Sequence, residues 1–252
     1  MAPRLHKVPC VTDPGDRAKL ARILTHLHDN PAVAEHIIKE ELGVLKPRAH
    51  TVGVTGAPAA GKSTLTARLL THLSREGRTA VVLAIDPTSD ISGGALLVDR
   101  LRMSESYLDP HVFIRSLGSR GSAAGLTPAL PEMIAAASMY ADMVIVETVG
   151  AGQTDTDIRR LVETLVVVLA PLGDFLSIMK SGQTEHAHLV AVNTREGFPG
   201  NDRCVAAARA ALDNDTIAGW QRRVFAVDAL EERGIEEFLH DGIDAHGEFL
   251  KK

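Results

Sequence analysis

The sequence runs Gly56-Ala57-Pro58-Ala59-Ala60-Gly61-Lys62-Ser63-Thr64 directly after a β-rich segment, His50–Thr55, and before a helix-length segment, Leu65–Leu73. A Gly-x-x-x-x-Gly-Lys-Ser pattern between a strand and a helix is typical of a phosphate-binding loop, or P-loop. Backbone N–H groups of such a loop surround phosphate oxygens, and the dipole of the following helix favours their negative charge. We expect Lys62 to reach the β- and γ-phosphates and Ser63 to ligate Mg²⁺. The stretch therefore predicts a site for a nucleoside triphosphate and Mg²⁺.

Short β-rich runs alternate with helix-length segments over most of the chain, which is the pattern of βαβ units. The predicted strands are His50–Thr55, Thr79–Ile85, Val112–Arg115, Met143–Glu147, Leu165–Ala170, His188–Asn193 and Val224–Val227. The sequence thus predicts an α/β fold with a mostly parallel central sheet and helices on both faces. We divide the chain into an N-terminal helical segment, residues 1–47, and a P-loop domain, residues 48–252.

The N-terminal segment has the apolar spacing of two amphipathic helices between residues 16 and 42. We expect its apolar stripe to cover the P-loop domain, and a dimer interface is the alternative. That stripe consists of Leu20, Ile23, Leu24 and Leu27. Three histidines of the segment could ligate a metal, although packed or solvated side chains are the expected outcome; these are His26, His28 and His36.

Composition excludes several classes of function. The net charge is −5 and no basic stripe occurs, which argues against a nucleic-acid partner. Cys10 and Cys204 are far apart and in no metal spacing, so they are expected to be free thiols in a reducing compartment. The N-terminus has no signal-peptide run, and the longest apolar stretch, Leu165–Leu172, is too short to span a bilayer. We therefore expect a cytoplasmic protein with no membrane association.

Acidic residues lie at the carboxyl ends of two of the predicted strands, at the edge of a parallel sheet where ligands bind. Asp86 directly follows the predicted strand Thr79–Ile85, and Asp99 lies in a later loop-and-helix segment, although a helix cap for Asp86 and a surface charge for Asp99 would also explain these residues. Glu147 ends another strand and is expected near Mg²⁺, while the Gly150 N–H could bond the γ-phosphate and move when it leaves. Gln153 could orient the attacking water or could be an ordinary loop residue.

Four segments together resemble the methylmalonyl-CoA-mutase-associated GTPases, the MeaB-type proteins also called LAO/AO transport kinases. The segments are Gly56–Thr64, Asp86–Met103, Phe113–Gly125 and Val146–Gln153. The most specific of them read AIDPTSDISGGALLVDRLRM and VETVGAGQ. The resemblance implies a GTPase domain of the SIMIBI class, with N-terminal helices packed on it. It also implies a role in escorting adenosylcobalamin-dependent acyl-CoA mutases.

The resemblance also implies a set of site residues. Candidates for catalysis are Lys62, Asp86, Glu147 and Gln153. Candidates for Mg²⁺ ligands are Ser63, Asp86, Asp99 and Glu147, with Thr64 as the alternative hydroxyl. The nucleotide is expected to contact residues 56–64, Gly150 and, at the base, Asn193, Glu196, Asp228 and Ala229. Lys180 lies in what resembles the mobile third switch of the family.

The chain departs from the family at its base-reading motifs. The family's Asn-Lys-x-Asp, whose Asp accepts hydrogen bonds from guanine, is replaced by Asn193-Thr194-Arg195-Glu196. The family's Ser-Ala-Leu loop is Asp228-Ala229-Leu230 here. We therefore expect a weakened preference for GTP, with ATP also possible. Ala59 stands where the family loop has Gly, and the third switch reads DFLSIMKSG.

Three functions remain open at this point. The first is a slow GTPase that acts as a chaperone for a cobalamin-dependent mutase. The second is a small-molecule kinase that transfers the γ-phosphate to a metabolite, and the third is a nucleotide-binding scaffold with little turnover. The family's C-terminal dimerisation arm has no counterpart before Lys252, so we expect a monomer or a homodimer formed through another face.

Overall fold

The computed structural model describes residues 8–43, 46–86, 108–118, 128–148, 157–171, 184–212 and 215–252. Within these ranges the main sheet has seven strands, all parallel, in the order β3-β2-β4-β1-β5-β6-β9. Their bounds are β1 His50–Thr55, β2 Ala80–Asp86, β3 Val112–Gly118, β4 Met143–Glu147, β5 Thr164–Leu169, β6 Leu189–Asn193 and β9 Arg223–Val227. The predicted α/β class and all seven predicted strands are confirmed.

The described helices are α1 Pro14–Asp29, α2 Ala34–Leu42, α3 Lys62–Arg75, α4 Leu130–Ser138, α5 Asn201–Leu212, α6 Ile235–Glu237 and α7 Ala245–Phe249. A 3₁₀ turn, Pro31–Val33, separates α1 from α2, so the prediction of two N-terminal helices is confirmed. A π-helical stretch, Phe238–Asp244, separates α6 from α7 at the C-terminal end of the chain. A two-stranded hairpin that sequence reasoning missed joins β7 Thr216–Ile217 to β8 Trp220–Gln221.

The two faces of the sheet are covered by different helices. Helices α1, α2 and α4 share a core with alternate side chains of the sheet such as Val81 and Val144. Helix α3 and the C-terminal helices pack on the other face, against side chains such as Val52 and Val82. The α1 stripe is at most 2% exposed; its members are Leu20, Ile23, Leu24 and Leu27. The stripe packs into this shared core of the P-loop domain, as expected, so none of its four side chains is exposed for the alternative dimer interface.

The order of the strands determines where a site can form. β1 lies between β4 and β5, so the chain leaves β1 at the point where successive connections turn to opposite sides of the sheet. Ligands of open α/β sheets bind beside the carboxyl ends of the strands at such a switch point. The carboxyl ends of β1, β4, β6 and β9 therefore lie at one edge of the sheet. None of the described helices combines the length and the apolar character that a membrane span requires.

Candidate nucleotide-binding site

The P-loop follows β1 and passes very close to neighbouring strands. Gly56 has φ +142° and Gly61 has φ +91°, values that favour glycine. A Cβ on Gly56 would collide with the carbonyl oxygen of Val168 in β5, and one on Gly61 would collide with the Asn193 side chain. The two glycines therefore let the loop approach Val168 in β5 and Asn193 at the end of β6 closely before α3 begins. The resulting concave backbone is the cradle that a phosphate group requires.

Lys62 and Ser63 occupy the first turn of α3 and are both only 7% exposed. The Lys62 ammonium donates hydrogen bonds to the carbonyl oxygens of Gly56, at 2.8 Å, and Ala57, at 3.1 Å. The Ser63 hydroxyl lies 2.5 Å from Oε1 of Glu147, which ends β4 and is 6% exposed. The structure thus brings together three predicted site residues, with the ammonium held across the mouth of the loop.

Two threonines that sequence reasoning missed support this arrangement. The Thr148 hydroxyl donates to the Thr55 hydroxyl over 3.0 Å, and the Thr148 N–H donates to the carbonyl oxygen of Val54 over 3.1 Å. These bonds continue the β1–β4 pairing beyond the strands and hold Glu147 beside the P-loop. Thr55 is the last residue of β1 and Thr148 directly follows β4, and this position at two strand ends is the signal that could have identified them.

The remaining acidic candidates are only partly described. Asp86 is the last residue of β2, paired with Gly118 and two residues past the Ala84–Glu147 pair, so its backbone lies at the same edge of the sheet. Asp99, Gly150, Gln153 and Lys180 lie outside the described residues. In the described parts of the N-terminal segment, His36 pairs with Glu40 at 3.2 Å, and no group of three potential ligands forms a metal site.

Asn193 links the P-loop to the base-side loops. Its amide nitrogen donates to the carbonyl oxygen of Ala60 at 2.9 Å, and its amide oxygen accepts from the Ala229 N–H at 3.1 Å. A pocket of about 360 Å³ lies beside this junction. The P-loop and the segments after β5, β6 and β9 line it; the residues beyond the P-loop are Ala170, Pro171, Asn193, Thr194, Arg195, Phe198 and Leu230. The pocket offers apolar walls next to the phosphate cradle, which suits a flat aromatic base.

Glu196 and Asp228 lie elsewhere: both line a neighbouring pocket of about 740 Å³, beside α5. Nη2 of Arg233 bonds the two carboxylates, at 3.1 Å from Glu196 and 2.9 Å from Asp228. Asp228 also accepts from the N–H groups of Leu230 and Glu231. Burial alone would raise the pKa of Asp228, but these hydrogen bonds hold that pKa below its usual range. The bond to Asp228 likewise raises the pKa of Arg233.

Ala59 has a backbone conformation that is typical of glycine. Its φ is +62°, in the left-handed region, and its side chain lines the 360 Å³ pocket. A residue with a Cβ pays about 1 kcal/mol or more in this conformation. The loop therefore keeps the backbone path of a glycine at a position that carries a methyl group.

The described side chains fit a nucleotide and Mg²⁺. A left-handed glycine cradle followed by the buried Lys62 suits an oligophosphate. The Ser63 hydroxyl and the Glu147 carboxylate are hard oxygen donors of the kind that Mg²⁺ prefers. The 360 Å³ pocket adds room for a base on the same side of the loop.

Comparison with known proteins identifies a family that matches most of this chain. The model for "Methylmalonyl Co-A mutase-associated GTPase MeaB" matches residues 20–252. A putative GTPase of Pyrococcus abyssi is 40% identical over 244 residues, which span 94% of this chain and 74% of that protein. A solved structure of an LAO/AO transport system kinase has a TM-score of 0.69 at 28% identity, covering 93% of this chain and 72% of its own. A fused isobutyryl-CoA mutase of Cupriavidus metallidurans is 36% identical over 184 residues, 71% of this chain and 17% of the mutase.

Proposed function

This chain belongs to the family of methylmalonyl-CoA-mutase-associated GTPases, and from that membership we propose a specific activity. It binds GTP with Mg²⁺, hydrolyses it slowly, and uses the bound nucleotide to control its affinity for an adenosylcobalamin-dependent acyl-CoA mutase. The relative described as a fused isobutyryl-CoA mutase supports this role, since a domain similar to this chain forms part of that protein.

The contact that carries the proposal is the 2.5 Å hydrogen bond between the Ser63 hydroxyl and the Glu147 carboxylate. It joins the first turn of α3, which follows the phosphate cradle, to the end of β4, which leads into the predicted switch segment. Any ligand that engages Ser63 must therefore also affect Glu147. This connection gives the chain a physical route from the phosphates to a segment that can contact a partner.

Three side chains and the P-loop backbone take part in the proposed reaction. Mg²⁺, when bound, supplies positive charge to the phosphate oxygens. Lys62 leaves the carbonyl oxygens of Gly56 and Ala57 and stabilises the negative charge that develops on the γ-phosphate. Ser63 and Glu147 provide oxygen atoms for the metal, and the P-loop N–H groups orient the phosphates. Positioning and charge stabilisation are the main requirements of phosphoryl transfer.

A phosphotransferase is the second candidate, because the solved structure similar to this chain is described as an LAO/AO transport system kinase. The same phosphate cradle and Lys62 would serve both reactions. The difference lies in the group that attacks the γ-phosphate: water for a GTPase, and the hydroxyl or other nucleophile of a small molecule for a kinase.

Phosphate release and mutase binding, measured on the same purified protein, separate these functions. We expect ³¹P NMR to show release of inorganic phosphate from GTP. We also expect the protein to co-elute with an adenosylcobalamin-dependent acyl-CoA mutase in gel filtration. The mutase affinity should differ at least about fivefold between GDP and a non-hydrolysable GTP analogue, a coupling of about 1 kcal/mol. A new phosphoester signal with a panel of metabolites would indicate the kinase. Equal mutase affinity in both nucleotide states would contradict the chaperone role.

A further inference from the structure

Arg233 lies between the two carboxylates that the base-reading motifs place near the nucleotide. We propose that Arg233 determines base specificity: it holds Glu196 in the neighbouring pocket, so that the nucleotide site binds ATP nearly as well as GTP. This inference rests on the proposed nucleotide-binding function. It assigns to Arg233 a positioning role that acts on the base through Glu196.

The backbone of Arg233 is fixed by its surroundings. Arg233 and Asp228 exchange two backbone hydrogen bonds, at 2.9 and 3.1 Å, as an antiparallel bridge. Gly234 follows with φ +70°, and a Cβ there would lie 2.5 Å from the carbonyl oxygen of Ala226. The turn therefore requires glycine at 234 and delivers the Arg233 side chain to the same side as Asp228.

The side chains of Asp228 and Glu196, which Arg233 joins, differ in their freedom to move. The Asp228 side chain is 4% exposed and is held by two backbone N–H groups besides Arg233. The Glu196 side chain is 73% exposed, and among its described contacts Arg233 is the cation that binds it. Asp228 thus anchors the guanidinium, and the guanidinium in turn holds Glu196. Glu196 is the member that is free to leave when Arg233 is removed.

The lining of the 360 Å³ pocket determines how well the site can distinguish guanine from adenine. A carboxylate that accepts hydrogen bonds from guanine rejects adenine, because adenine cannot make those bonds and the buried carboxylate would lose its partners. The described residues that line the 360 Å³ pocket include no carboxylate, whereas Phe198, Leu230 and Pro171 provide apolar contact. Apolar surfaces bind any purine through its faces and give little discrimination between guanine and adenine. Glu196 could restore discrimination only after release from Arg233.

The test is the ratio of GTP to ATP affinity, measured by competition against a fluorescent nucleotide in the presence of Mg²⁺. Arg233→Met removes the guanidinium and keeps an apolar stem, so Glu196 is released and repelled by the remaining charge on Asp228. We expect the ratio to rise about fivefold, the scale of an exposed ion pair. Adding Glu196→Gln to Arg233→Met should remove that gain. Arg75→Met is the matched control, since Arg75 pairs with Glu232 outside both pockets.

Glu196→Gln alone tests the same idea without disturbing the buried Asp228, and it decides the matter if Arg233→Met proves unstable. Because Glu196 is already held by Arg233, its neutralisation should lower the wild-type ratio by less than about threefold, and this result supports the proposal. A larger fall would show that Glu196 already reads guanine and would overturn it. An unchanged ratio in a folded Arg233→Met protein would also overturn it. A wild-type protein that binds neither nucleotide would instead overturn the proposed function itself.

Discussion

The phosphate half and the base half of the candidate site are built in different ways. The phosphate half consists of glycine backbone and buried side chains, with Lys62, Ser63 and Glu147 all at most 7% exposed. The base half depends on a cluster in which Arg233 and Glu196 are 55% and 73% exposed. Buried contacts of backbone and side chain tolerate few changes, whereas an exposed ion pair can be altered at a cost of about 1 kcal/mol or less. Divergence in the base half is therefore compatible with an intact phosphate half.

The largest expected effect tests the phosphate half directly. Lys62→Ala removes the buried ammonium that the structure places across the P-loop. We expect it to lower kcat for GTP hydrolysis by at least about a hundredfold, or about 2.7 kcal/mol, because the charge developing on the γ-phosphate loses the side-chain cation proposed to stabilise it. Steady-state phosphate release at saturating GTP measures this change.

Lys39→Ala is the matched control for Lys62→Ala, since Lys39 is an exposed residue of α2. Both variants should keep the circular dichroism spectrum of the wild type. Turnover of Lys62→Ala within about threefold of wild type, or about 0.65 kcal/mol, would show that the chemistry does not depend on this loop. The comparison between the two halves would then lose its basis.

A second prediction concerns the junction where the halves meet. Gly61→Ala places a Cβ in a left-handed conformation and against the Asn193 amide that joins the P-loop to the base-side loops. We expect the free energy of unfolding to fall by about 3 kcal/mol, the sum of backbone strain and a disrupted, partly buried contact. Urea denaturation followed by circular dichroism gives this value.

Gly77→Ala separates the two contributions to that loss. Gly77 follows α3 with φ +71°, and an added Cβ meets nothing within 4 Å. It should lose only the backbone term, about 1 kcal/mol. If Gly61→Ala and Gly77→Ala lowered the free energy of unfolding equally, the Asn193 side chain would have moved aside at no energetic cost. The contact between the phosphate half and the base half would then be weaker than its hydrogen bonds indicate.

The strand, loop and helix that form the phosphate half could be predicted from the sequence because their geometry is local. Gly56, Gly61 and Lys62 lie within seven consecutive residues, and the flanking strand and helix were evident from their apolar patterns. Glu147 is distant in sequence, but it ends a buried strand, and strand ends of a parallel sheet meet at one edge. The seven strands and the packing of the α1 stripe followed from periodicity in the same way.

The base half could be predicted only in part. The altered residues Glu196 and Asp228 were visible in the sequence, yet their shared partner Arg233 was not. That partnership depends on a bridge between Asp228 and Arg233 and on the left-handed Gly234, which have no periodic signal. The β7–β8 hairpin escaped for a related reason: its strands have two residues each, and Ala218-Gly219 is a weaker turn signal than Asn-Gly.

The smallest predicted effect comes from changing Ala59, which is the one residue of the P-loop with a side chain and a left-handed backbone conformation. Ala59→Gly removes strain of about 1 kcal/mol, and part of this gain is offset by the greater freedom of glycine in the unfolded chain. We expect a net rise of about 0.5 kcal/mol in the free energy of unfolding. Because the methyl group also lines the 360 Å³ pocket, GTP and ATP affinities should both rise about twofold to fivefold.

Ala218→Gly is the control for Ala59→Gly, because Ala218 has φ +49° in the exposed β7–β8 turn and lies outside both pockets. It should raise stability by a similar amount and leave nucleotide affinity unchanged. Titration calorimetry with each nucleotide, beside urea denaturation, distinguishes the two variants. A gain in affinity for only one of the nucleotides would show that Ala59 contacts the base as well as the phosphates. The boundary between the two halves would then lie inside the P-loop itself, between Ala59 and Lys62.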